Sequence, residues 1–188
     1  VRTFFSPGQF EVTGPMTWSG TSFKTAKTLF KGKAKITASH IETTDDFTAE
    51  SDLSLIGNWT HRRGKARVAG LFLRGSSVKN DLGATVIVTG PSDIQADTLA
   101  NEGAINFDGT LKGRIDHFVN RGSAILKGDV QLTGKTILNS NTFKALSIFD
   151  WVGETLTNTA TGNMTLFDNR VVATRQVINQ GLLLWTHN

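Results

Sequence analysis

Asparagine returns along this chain at a nearly constant interval. Asn residues stand at 58, 80, 101, 120, 139, 158 and 179, separated by 22, 21, 19, 19, 19 and 21 positions. Two residues before each is a large apolar side chain: Ile56, Val78, Leu99, Phe118, Ile137, Leu156 and Val177. Gly follows at the second position in Asn101-Glu-Gly103, Asn120-Arg-Gly122 and Asn179-Gln-Gly181. After Asn80 it comes at the third (Gly83), and after Asn139 the second position is Asn141. Gly109 and Gly128 again lie 19 apart. Two markers sharing one period make a structural repeat, and a repeat of this size restricts the chain to architectures built by stacking.

The segments between markers lack helical spacing. They read as short alternations, such as Ala104-Ile105-Asn106-Phe107, Leu111 to Ile115, Val130 to Leu132 and Leu182 to Trp185, separated by Gly, Asn or Asp-Gly. At ~3.3 Å per residue, 19 residues have a contour of roughly 60 Å, which suits one turn of a small β-solenoid with two or three sides. The predicted fold is therefore all-β, a β-solenoid with coils of 19–22 residues. The apolar residue before each Asn is expected to point inward. The Asn is expected at a corner, tolerating the left-handed conformation and bonding its counterparts in a ladder. Gly after it would supply positive φ, and the longer gap between Asn58 and Asn80 would be absorbed in a corner loop. Residues 1–188 read as a single domain. Within it, 1–55 form less regular coils or an end cover, and 56–188 form regular Asn-marked coils.

Composition agrees. Of 188 residues, 25 are Thr and 19 are Gly, a strand-and-turn bias. The absence of Cys excludes disulfides, Cys-containing zinc sites and thiol catalysis. No run reaches 18 apolar residues, so no membrane-spanning helix is expected. The chain begins at Val1 without a leader pattern, which suggests a processed product or an excised piece.

The net charge of +4 is spread thinly, except for one dense segment of His61, Arg62, Arg63, Lys65 and Arg67. This segment is the candidate site for an anionic glycan or phosphate. It lacks the interleaved aromatics of single-stranded nucleic-acid binders, so no nucleic-acid partner is expected.

With the repeat written out, the chain resembles the filamentous-haemagglutinin type of exoprotein, which includes adhesins and contact-dependent inhibition stalks exported by two-partner secretion. The coils of that family look like L-x-N-x-G-x-I-x-x-x-G-x-L-x-L. Leu99-Ala-Asn-Glu-Gly-Ala-Ile105 with Gly109 and Leu111 follows this pattern, as does Val177-Ile-Asn-Gln-Gly-Leu-Leu183. Phe118-Val-Asn-Arg-Gly-Ser-Ala124 with Gly128 and Val130 follows it nearly as well. The resemblance covers residues 56–188 and implies a right-handed parallel β-helix on, or shed from, a bacterial surface. The Asn-Pro-Asn-Gly type of motif near the start of the family's secretion domain is absent.

β-Helices also carry polysaccharide-degrading chemistry, which needs paired carboxylates or acidic calcium sites. The best cluster is Asp45-Asp46 with Glu50 and Asp52, which reads as a solvated turn. Arg114-Ile-Asp116-His117 lacks the Gly-His-Gly that accompanies such a stretch in polygalacturonase-like enzymes. His40, His61, His117 and His187 have no metal-ligand spacing. Asn58-Trp-Thr60 and Asn163-Met-Thr165 match a glycosylation acceptor, by chance if the source is bacterial. The expected role is a structural and adhesive segment of a large bacterial surface protein, without catalysis or cofactor. Its partners would be a receptor or glycan, and neighbouring coils of a longer parent or of other copies. The alternatives are a β-helical polysaccharide-degrading enzyme or tailspike fragment, and a self-assembling filament subunit.

Overall fold

The computed structural model describes residues 2–167 and 172–186, and within them every regular element is a strand. The long early strands are β1 (Thr3–Val12), β2 (Met16–Phe30), β3 (Ala34–Thr43), β4 (Phe47–His61) and β5 (Gly64–Asn80). Then come β6 (Ala84–Val88), β7 (Ser92–Asn101), β8 (Ala104–Phe107), β9 (Leu111–Asn120), β10 (Ser123–Leu126) and β11 (Val130–Thr133). The last are β12 (Thr136–Asn139), β13 (Thr142–Ala145), β14 (Phe149–Asn158), β15 (Asn163–Phe167), β16 (Val172–Asn179) and β17 (Leu182–Thr186).

All strand pairings among the described residues are parallel, and each joins residues about one repeat apart, so the chain winds as a β-solenoid of about nine coils. Each coil has three sides. In one coil these are β10, β11 and β12; in the coil before it, β8 forms the first side and β9 bends across the other two. Leu111–Arg114 of β9 pairs with β11, while His117–Asn120 pairs with β12.

Register turns sequence alternation into columns along the axis. On the third side one inward column runs Phe23, Ile41, Trp59, Val78, Leu99, Phe118, Ile137, Leu156. All eight are buried. Burying each such large side chain contributes about 1.5–3 kcal/mol, available only once the next coil is in place.

The neighbouring inward column is polar. It runs Ser6, Thr25, Thr43, His61, Asn80, Asn101, Asn120, Asn139, Asn158, Asn179. The column therefore continues through the first 55 residues, with Ser and Thr in place of Asn.

It also corrects one marker. Asn58 does not belong to this column, because the chain bends at Gly57 (φ 136°) and the register shifts between Ile56 and Trp59. Asn58 pairs with His40 in an outward row, and its side-chain oxygen accepts the Ser77 N–H at 3.0 Å. Ile56 is accordingly exposed rather than inward, and Trp59 takes its place. The true coil step is the 19 residues from His61 to Asn80, so the gap of 22 needs no insertion.

The conformational reasons also differ from expectation. None of the seven Asn markers has positive φ; Asp45 is the one described non-Gly residue that does. Gly83, after Asn80, has the expected positive φ (80°), but Gly103, Gly122 and Gly181 do not; these three sit elsewhere in conformational space. They are required by close approach: a Cβ on Gly122 would collide with the carbonyl oxygen of Gly103 one coil below, and one on Gly181 with that of Gly162.

Candidate functional site

The ladder is built amide to amide. Nδ2 of Asn80, Asn101, Asn120 and Asn139 donates to Oδ1 of the next Asn at 2.8 Å, and that of Asn158 to Asn179 at 2.9 Å. The second amide hydrogen goes to a backbone carbonyl: Ala104, Ser123, Thr142, Asn141 and Leu182 in the same order. A buried primary amide is tolerated when both hydrogens and its oxygen are engaged. Asn101, Asn120, Asn139 and Asn158 meet that condition through the Asn rungs on either side and a backbone carbonyl.

The basic segment divides between inside and outside. His61 is fully buried in the polar column, with Nδ1 3.0 Å from the Thr43 hydroxyl. That hydroxyl accepts the Trp59 indole N–H at 3.0 Å, and His61 Nδ1 also lies 3.2 Å from the Thr43 carbonyl oxygen. Nε2 has no partner among the described residues; nor has Oδ1 of Asn80, the register neighbour of His61. Burial holds the imidazole pKa below its ordinary value, against upward pulls from the Gly64 and Thr43 backbone and from Asp45 and Asp81.

Arg62 and Arg63 occupy the corner and are exposed, yet both are matched. Arg62 reaches Glu42 at 2.8 Å and Asp81 at 3.7 Å, and Arg63 reaches Asp45 at 2.9 Å. Asp81 also binds Lys79 at 2.7 Å, and Glu42 binds Lys24 at 3.8 Å. Lys65 and Arg67 lie on the first side, past Gly64 (φ 77°), with no ion pair among the described residues. The five residues do not converge on one patch.

Of the acidic candidates, Asp45 is held by Arg63, Asp52 pairs with Lys33 at 3.2 Å, and Asp46 is exposed. Asp116 and His117 part at the bend. Asp116 accepts two bonds from Arg114 (2.7 and 3.0 Å) and one ion pair from Lys135 (3.4 Å). Its hydrogen bond with Arg114 leads the effects that lower its carboxyl pKa. His117 turns outward to Thr136 at 3.0 Å. Among the described residues no three His, Asp or Glu side chains form a metal-binding group; His187 lies outside them.

A feature hidden in the sequence lies on the second side. Leu71-Phe72-Leu73 reads as one apolar run, but alternation turns Phe72 outward between two buried Leu, leaving it 41% exposed. Lys35, Ser54, Phe72, Asp93 and Lys112 form one outward row, with Ile56 and Arg74 beside it. Depressions of about 220 and 300 Å3 open on either side of Phe72. The signal that would have exposed it is the period of two within β5, since the flanking Leu residues already account for the inward positions.

The haemagglutinin repeat family model matches residues 87–166. No curated protein and no solved structure matches the chain. The matched stretch contains four rungs of the Asn ladder and ordinary 19-residue steps between them. With its parallel coils stacked around that ladder, the chain fits the filamentous-haemagglutinin type of repeat protein.

Proposed function

We propose that this chain is a rod segment of a secreted or surface-displayed bacterial adhesin, holding its lateral sides against a receptor or glycan without chemically altering it. The observation that carries this reading is the haemagglutinin repeat at the centre of one continuous stack. Nine steps of ~4.8 Å give a rod of roughly 43 Å, long enough to space and present side chains in fixed rows. The acidic residues support the non-catalytic reading, since Asp45, Asp52 and Asp116 are each engaged by a cation.

Two measurements test it together: retention of the purified chain on cell surfaces, and sugar release from anionic polysaccharides. Retention without release is expected. Failure to be retained on any cell surface would remove the adhesive reading. Unsaturated or reducing sugars that appear with the wild type and vanish in an Asp45→Asn/Asp46→Asn variant would replace it with the β-helical enzyme.

A further inference from the structure

We infer that the second side of the solenoid, centred on Phe72, binds a linear acidic polysaccharide. This rests on the adhesive reading above and gives it a ligand class and a site.

Three observations converge there. The first is the exposed ring. Phe72 stands in its outward row between the short side chains Ser54 and Asp93, so the ring rises from the surface with a depression on each flank. An exposed aromatic face beside a shallow groove suits the C–H face of a sugar ring, and Asp93, which lines both depressions, can accept hydrogen bonds from sugar hydroxyls.

The second is uncommitted charge. Lys35, Arg74 and Lys112 make no ion pair among the described residues, whereas the corner cations Arg62 and Arg63 are already matched by Glu42, Asp81 and Asp45. Among the described residues these three cations and the Asp93 carboxylate around the groove make no ion pair. This side therefore holds three unmatched cations around one groove, whereas the basic segment has two, Lys65 and Arg67, set on a different side from the paired corner arginines. The planar fork of Arg74 suits a carboxylate or sulfate group.

The third is direction. Lys35 and Lys112 lie two rungs to either side of Phe72 in the same row, about 19 Å apart at ~4.8 Å per rung. A chain laid along the solenoid axis meets cation, ring and cation in turn. An extended peptide is disfavoured as occupant. β5 is already paired to β4 on one edge and to β6 and β7 on the other, so no backbone edge is open for strand addition.

Binding of the full chain to an immobilised heparin oligosaccharide and to oligogalacturonate, with dextran as the neutral comparator, tests the site. The wild type is expected to bind both acidic probes and not dextran, with affinity falling as salt rises. Phe72→Ser should weaken binding about tenfold, the equivalent of one lost stacking contact. Arg74→Glu/Lys112→Glu should abolish it, and Arg62→Glu/Arg63→Glu should leave it nearly unchanged. All these residues point outward, so unaltered melting temperatures should accompany the losses.

Binding that survives Phe72→Ser and Arg74→Glu/Lys112→Glu but is lost in Arg62→Glu/Arg63→Glu overturns the site. Equal binding to dextran overturns the ligand class. A wild-type chain that attaches to cells but holds neither acidic probe overturns the inference and leaves the adhesive reading standing. Attachment to nothing overturns both.

Discussion

His61 is the residue at which the polar column changes its chemistry. Below it the rungs are hydroxyls, and above it they are amides that donate in one direction along the axis. An imidazole at the junction leaves one nitrogen and the facing Asn80 oxygen buried without partners, and such orphans cost about 1–3 kcal/mol each. The folded chain also holds this imidazole neutral, because burial lowers its pKa below 6.5. Between the folded and unfolded pKa values the unfolded chain binds more protons. The contribution of His61 is therefore complete above the unfolded value and diminishes as pH falls through and below it. His61→Asn places an amide donor opposite Asn80 Oδ1 and extends the ladder by one rung. Thermal melting from pH 7 to pH 5 should show a smaller loss of stability in His61→Asn than in the wild type. An equal loss in both would show that the pH sensitivity lies elsewhere.

At the scale of the element, coils are kept apart by backbone contacts as much as they are drawn together by the core. Gly122 lies over Gly103, and Gly103 over the Ala84 carbonyl, so the corner between third and first sides has room for hydrogen alone. Gly122→Ala should destabilise the chain by about 1–3 kcal/mol through overpacking, since backbone cannot yield as a flexible side chain can. Gly8→Ala is the matched comparison: its Cβ meets nothing within 4 Å and its φ is not positive. That change should be neutral or stabilise by about 0.4–1 kcal/mol through the unfolded chain. Urea midpoints of the two variants settle the matter; equal midpoints would mean that the stacked glycines serve no steric purpose.

At the scale of the molecule, a solenoid closes around its axis but not along it. Among the described residues β16 joins β14 and β17 joins β15, each on one edge alone. The last coil's inward residues Val177 and Trp185 are 43% and 46% exposed, beside exposed Leu182 and Leu184. An unpaired edge with apolar residues behind it is a template for another strand. The 188-residue chain should therefore self-associate as its concentration rises. Trp185→Lys, which points a charge into that edge, should shift the sedimentation profile toward monomer; an unchanged profile would place the contact elsewhere. At the other end, Phe4 and Trp18 pack against Phe23, with Phe4 stacked on it at a ring separation of 4.7 Å, and Phe10 packs against Phe4 and Phe30.

The period of Asn101, Asn120, Asn139 and Asn158, with an apolar residue two before each, was enough to specify parallel coils, their length and the ladder. All of that follows from one repeat meeting itself in register. The same reading misplaced Asn58, because a bend at Gly57 alters which side chain points inward, and a bend is a property of the wound backbone. It could not see Thr43 and His61 as rungs, since their membership depends on the neighbour they face. It marked Arg62 and Arg63 as an anion site because they are adjacent in the chain. Stacking supplied their counter-charges from Glu42, Asp81 and Asp45, and brought Lys35, Phe72 and Lys112, scattered over 78 residues of sequence, into one row. Local alternation decides which residues a coil buries, and the winding of the coils decides which exposed residues meet.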